Sequence, residues 1–246
     1  MAKCCKVIAA SIGPRRGSPH NAEGVKQCLD EQIKHACGID PGMDVDVYIV
    51  NHSIKGVEHV EYLQSLAETS TPYGKVHAVN RDWNSGRGLS WESYSTVIDS
   101  FLDKYEYWYF VEDDVLPVSS NYIADMVSIL DGNDDVGFVA LSVIAGHPYT
   151  LDSAGCITHT GTAGLPIHAH GSNGLTSRAH IQQVLSKFGK MAYPSMPYVG
   201  PTDRQWMRDA ELNGEVAFSN AFVSCGYKIA KGLDSGHWSI QRGEYV

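Results

Sequence analysis

The 246-residue sequence has no apolar stretch approaching the ~20 residues that a membrane helix needs, so no transmembrane segment is expected. It also lacks internal repeats, low-complexity tracts and obvious linkers, which sets aside solenoid and disordered classes. Basic residues are in deficit: 19 Lys and Arg against 28 Asp and Glu leave a formal charge of −9. Nucleic-acid affinity rests on a basic surface, so no nucleic-acid partner is expected, although a local basic pocket for phosphate is allowed. Cysteine is sparse, and Cys4, Cys5, Cys28, Cys37, Cys156 and Cys225 form no C-x-x-C pair. A chain of this size needs no disulfide staples, so reduced thiols are expected and a zinc centre is not. Met1 to Ile8 lacks the basic flank, long apolar segment and cleavage site of a secretory signal. The expected location is therefore cytoplasmic. No G-x-x-x-x-G-K-[ST] phosphate loop occurs, and Gly86-x-Gly88 lacks the third glycine of a dinucleotide fingerprint.

What remains is a composition for a folded core, with 43% apolar and 10% aromatic residues. The first half alternates two periodicities. Short apolar runs at Lys6 to Ser11, Val45 to Val50, Lys75 to Val79 and Tyr107 to Val111 predict strands. Between them, Val25, Cys28, Leu29, Ile33 and Ala36, then Val57 to Ala67, then Tyr94, Val97, Ile98 and Phe101 recur at helical spacing. Such alternation predicts a mostly parallel sheet covered by helices on both faces. In the second half, Val136 to Val143 predicts a buried strand and residues 146–176 an irregular segment. Helices are expected at Ser177 to Phe188 and Asp203 to Leu212, the latter behind a Thr202/Gln205 capping box, and a strand or hairpin at Ala217 to Ile229.

In open α/β sheets, ligands sit beyond the carboxyl ends of the parallel strands. The residues following the four predicted strands are therefore the informative ones. They are Ser11, Gly13, Arg15 and Arg16; Asn51, His52 and Ser53; Asn80, Arg81, Asp82, Asn84, Gly86 and Arg87; and Glu112, Asp113 and Asp114. Basic groups beside an acid cluster suit a polyphosphate bound through a divalent ion. Adjacent carboxylates at the end of a buried strand repel one another, and a hard cation offsets that repulsion. A solvated acidic turn is the competing reading of the same residues.

Tyr107-Trp108-Tyr109-Phe110-Val111-Glu112-Asp113-Asp114, followed by Val115-Leu116-Pro117, resembles the D-x-D region of GT-A glycosyltransferases. Its E-D-D form is similar to that of N-acetylglucosaminyltransferase I. Asn80 to Gly88 resembles the N-x-G segment of family 2-type enzymes. Asp46 to Ser53 resembles their second strand, with Asn51 where an Asp is usual. Gly171-Ser172-Asn173-Gly174 and Thr202-Asp203 resemble the acceptor-side glycine region and the E-D motif, with Thr202 in place of Glu.

The resemblance implies a single GT-A (Rossmann-like) α/β domain over 1–246. Its nucleotide-sugar-binding half would span 1–117 and a smaller acceptor-binding half 118–246. It implies metal-dependent transfer of a sugar from a UDP- or GDP-sugar donor to a hydroxyl of a glycan or other acceptor. Asp114 and His237 are the expected ligands of Mn2+ or Mg2+. Glu112 would face the ribose or hold the metal through water, and Asp113 would stand behind it. Ser11, Asn51, Asn84 and Arg87 complete the expected donor site, with Arg81 and Arg15 in reserve for the diphosphate. Asp203 is the expected base of an inverting transfer, with Asp209 or Glu211 as alternatives. Trp206 and Tyr198 flank Asp203 as acceptor contacts, whereas Trp83, Trp91 and Trp238 are expected in the core or on helix faces. His168 and His170 alternate on one face with no carboxylate close in sequence, and are read as polar loop or acceptor contacts. The competing functions are a sugar-phosphate nucleotidyltransferase and a non-catalytic carbohydrate-binding protein on the same fold.

Overall fold

The computed structural model describes residues 3–12, 22–52, 59–81, 89–144, 150–151, 157–158, 167–194, 204–232 and 238–240. The first half forms strands β1 (Lys3–Ala10), β2 (Asp44–Asn51), β3 (Ser70–Thr71), β4 (Gly74–Asn80) and β5 (Tyr107–Glu112). Helices α1 (Ala22–Gly38), α2 (Val60–Ala67) and α3 (Leu89–Phe101) alternate with them. The second half supplies strands β6 (Val115–Pro117), β7 (Val136–Ala140), β8 (Val143–Ile144), β9 (Thr150–Leu151), β10 (Ile157–Thr158), β11 (His168–Ala169), β12 (Gly174–Ser177), β13 (Lys228–Lys231) and β14 (Trp238–Ile240). Its helices are α4 (Tyr122–Asp131), α5 (Arg178–Phe188), α6 (Arg204–Ala210) and α7 (Ala217–Ser224).

Eight strands make one sheet in the order β13-β7-β12-β5-β1-β2-β4-β3. β1 pairs in parallel with β2 (Lys3 opposite Asp44) and with β5 (Cys4 opposite Tyr107). β12 runs antiparallel to both β5 and β7, and β3 antiparallel to β4, so the other six strands share one direction. The mostly parallel α/β sheet expected from the alternating pattern is therefore present.

The strand period of two explains the two apolar layers. Cys4, Ile8, Tyr109 and Val111 face α1, α2 and α4, where Leu29, Leu63 and Met126 pack. Cys5, Val7, Trp108 and Phe110 face α3, α5 and α7, where Tyr94, Ile181 and Phe218 pack. Ser177 caps α5 by accepting the His180 N–H, so the helix starts where the sequence places it.

The structure corrects the reading of Ala217 to Ile229. Residues 217–224 are helical, and only Lys228–Lys231 is a strand. Phe218 and Phe222 are four residues apart, so one helix face presents both rings, to Phe110 and Phe138 respectively. Aromatic and aliphatic density mimicked a strand, while the i, i+4 spacing decided the outcome. Between α6 and α7, Glu211–Val216 is wound as a π-helix. Residues 146–176 also hold more order than expected, because β12 begins within them. Gly174 allows that insertion: a β-carbon there would stand 2.5 Å from both the Phe138 ring and the Val139 carbonyl oxygen.

Candidate functional site

The chain lays β1, β2 and β4 outward in one direction, then returns to place β5 on the opposite flank of β1. Strand order therefore reverses between β1 and β5, and the crevice beyond their carboxyl ends is where such sheets take ligands. Ser11 and Ile12 follow β1 there, His52 follows β2, Arg81 follows β4, and the acid turn follows β5.

Backbone and amide groups draw the first three of these loops together. Asn51 is fully buried; its Oδ1 accepts the Ile12 N–H at 3.0 Å and its Nδ2 donates to Asn80 Oδ1 at 3.1 Å. Its carbonyl accepts the Arg81 N–H at 3.1 Å, and the His52 N–H donates to the Ala10 carbonyl at 2.8 Å. The Asn51 side chain thus ties three strand ends into one rim, beside a partly exposed Ser11. Arg81 is engaged in an ion pair with Glu92 of α3.

Glu112, Asp113 and Asp114 are half-buried in the turn from β5 to β6. The Glu112 N–H donates to Asn173 Oδ1 at 2.8 Å, and its Oε1 accepts the Ser90 hydroxyl at 3.0 Å. Gly171 closes over the same carboxylate at φ +58°; a β-carbon there would lie 3.1 Å from Glu112 Oε2 and 2.5 Å from Asn173 Nδ2. The far side of the turn rests on Gln32 of α1, whose Nε2 donates to the carbonyls of Val115 at 2.7 Å and Asp113 at 3.1 Å. Lys6 Nζ in turn donates to Gln32 Oε1 at 2.7 Å. Burial pushes the Lys6 amine down to about 7. Tyr94 lies within reach of the acid field: burial raises its phenol well above the usual range, and the charges of Glu112, Asp113 and Asp114 add to that. Its hydroxyl is buried with no hydrogen-bond partner among the described residues.

The side-chain donors of this turn are all carboxylate oxygens, which suit a hard divalent ion. Among the described residues, no group of three or more His, Cys, Asp or Glu side chains converges into a cation cage. A cation held by one or two carboxylates, with phosphate and water filling its remaining positions, is the arrangement that Mg2+ adopts. Asn84, Arg87, Asp203 and His237 lie outside the described residues, as do Arg15, Arg16 and Tyr198.

Several residues at the rim were not evident in the sequence. Glu215, in the π-helical turn, accepts the Gly171 N–H at 2.8 Å and approaches His168 Nε2 at 3.7 Å, supplying the carboxylate that the chain does not place near His168 in sequence. Ser172 Oγ donates to the Glu215 carbonyl and accepts from Trp91 Nε1, both at 2.9 Å. Trp91 is buried, as expected of a core or helix-face residue, and lies flat on Gly214, where a β-carbon would meet its ring at 2.3 Å. A lone glycine inside a helical run marks such close contact. Asp209 is buried and accepts Asn213 Nδ2 at 2.6 Å, while Glu211 is exposed.

No protein-family model and no curated protein matches the chain. Solved structures of similar shape include residues 1–349 of S. aureus TarS in complex with UDP, at 12% identity and a TM-score of 0.48. That alignment covers 97% of this chain and 60% of the TarS chain. They also include 4-diphosphocytidyl-2C-methyl-D-erythritol synthase from Anaerococcus prevotii, at 14% identity and a TM-score of 0.42, covering 99% of this chain and 94% of that one. A second synthase of the same description aligns at 11% identity and a TM-score of 0.44, covering 98% and 94%.

Proposed function

We propose that the chain is a metal-dependent glycosyltransferase that moves a sugar from a UDP- or GDP-sugar to a hydroxyl acceptor with inversion. The observation that carries this reading is the position of Glu112, Asp113 and Asp114: they occupy the carboxyl end of β5 at the reversal of strand order. Nucleotides bind at such crevices, and oxygen donors there would suit a hard divalent ion. The motif resemblance supplies the reaction class.

In this reading residues 1–117 bind the donor and 118–246 the acceptor. Asp114 and His237 would hold Mn2+ or Mg2+, which would supply positive charge against the departing diphosphate. Glu112, oriented by Ser90 and Asn173, serves the ribose or a metal-bound water. Asp113 stands behind it, and Ser11, Asn51, Asn84 and Arg87 shape and neutralise the rest of the donor pocket. The acceptor oxygen bonds to the anomeric carbon as the bond from that carbon to the diphosphate oxygen breaks. Asp203 takes the acceptor's proton.

Thermal denaturation with UDP, GDP, CMP and nucleoside triphosphates, each with and without Mn2+, tests the reading. A diphosphate with metal is expected to raise the melting temperature, corresponding to about 2.7 kcal/mol at a hundredfold excess over Kd. Asp114→Ala is expected to remove that metal-dependent rise. Asp203→Ala is expected to keep it and to lose transfer. Stabilisation by a triphosphate alone would favour nucleotidyl transfer. No nucleotide response in the folded protein would leave carbohydrate binding.

A further inference from the structure

A lysine on the central strand of a parallel sheet is an unusual occupant, since an unpaired buried charge is costly. Lys6 is 1% exposed and Gln32 is fully buried, yet they form one continuous relay. The ammonium donates to the Gln32 carbonyl oxygen, which fixes the amide plane and aims its nitrogen at the acid turn. An amide nitrogen carries two hydrogens. Here the Val115 and Asp113 carbonyls take the closer positions, with the Glu112 carbonyl at 3.5 Å. No carboxylate pairs with Lys6 among the described residues: Cys4 lies on its own strand, Tyr109 is its register partner on β5, and the Tyr122 ring of α4 is 6.0 Å away.

We infer that Gln32, oriented by Lys6, is a positioning residue that presets the backbone of the Glu112–Asp114 turn for cation-assisted nucleotide binding. This rests on the reading of that turn as the donor site. Pinning the carbonyls on either side of Asp114 fixes the turn before the ligand arrives, so ordering it costs less of the binding free energy. Groups that orient a metal's ligands typically change metal affinity by about 10- to 100-fold when removed.

Titration of the full chain with UDP, with and without Mn2+, supplies the test. Gln32→Glu keeps the volume and a partner for Lys6 but removes both N–H donors. Its UDP affinity in Mn2+ is expected to fall by about 10- to 100-fold, with metal-free UDP affinity unchanged and the bound Mn2+ resonance broadened. Paired replacement, Lys6→Met with Gln32→Met, removes the polar relay without leaving half of it buried, and should show the same loss. Equal Mn2+-dependent affinity in wild type and a folded variant overturns the relay and leaves the donor site standing. A parallel fall in metal-free affinity assigns Gln32 a merely structural role. Should neither variant fold, the wild-type Gln32 amide protons decide: they are expected to exchange slowly and to shift on adding Mg2+ with UDP, and fast exchange or an unmoved signal overturns the inference. Absence of any Mn2+-dependent UDP binding by wild type overturns the donor-site reading and the relay with it.

Discussion

Lys6 gives the protein an unusual dependence on alkaline pH. Its folded pKa of about 7 lies below the ordinary value of 10.5, and desolvation is the cause. The unfolded chain therefore binds more protons than the folded chain between those values, and stability rises with pH across that window. The full difference corresponds to about 5 kcal/mol, of which about 1 kcal/mol should appear between pH 7 and pH 8. Burial lowers the His77 and His180 imidazoles, so both stay neutral above pH 7. Burial raises the Cys4, Cys5 and Cys225 thiols, whose opposing contribution grows as pH approaches their unfolded value of 9.0 and is small below pH 8. Urea unfolding at pH 7, 7.5 and 8 is the assay. The wild-type midpoint should climb with a constant slope, while Lys6→Met should be flat over the same range. A wild-type midpoint that stays level or falls, or a Lys6→Met variant that still climbs, would refute the reasoning.

Further predictions concern glycines and one ion cluster. Gly171→Ala places a methyl against Asn173 and Glu112 at a left-handed φ, and should cost about 1–3 kcal/mol in urea unfolding and weaken Mn2+-dependent UDP binding. Gly214→Ala forces Trp91 off the π-helical turn; a loss of about 1–3 kcal/mol with a red-shifted tryptophan emission is expected. Burial would raise Asp46, but the Lys3 ammonium, the Lys75 N–H and the Tyr105 hydroxyl hold its carboxyl well below the usual range. Its contribution is present above the unfolded carboxylate pKa and is lost as pH falls below that value. Asp46→Asn should accordingly be less stable at pH 7 and show a shallower acid limb in a pH series of melting temperatures.

Strands β1, β2, β4, β5 and β7 were legible because each is an apolar run closed by polar or turn residues, and the acid turn because three carboxylates follow such a run. What escaped notice depended on contacts distant in sequence. Lys6 in a strand reads as a residue for a solvent-facing side, and nothing local shows that Gln32, 26 positions later, will meet it. β12 is only Gly174–Ser177, too short to carry a period, and it becomes a strand because β5 and β7 leave a slot for it. Nothing near it in sequence singles out Glu215; the π-helical turn is what brings it to Gly171.

The slot filled by β12 also makes a narrow joint in the main sheet. β7 and β13 join the remainder of the main sheet through this strand, which meets β7 at just Gly174–Ala140 and Leu175–Val139. Gly171 and Asn173, which brace Glu112, immediately precede it. A partial opening at this narrow isthmus would strip one wall from the rim while β1, β2 and β4 keep their pairing. The β7–β13 edge and the strand ends tied by Asn51 are thus joined to the sheet separately, and an opening of the first leaves the ladders of the second intact.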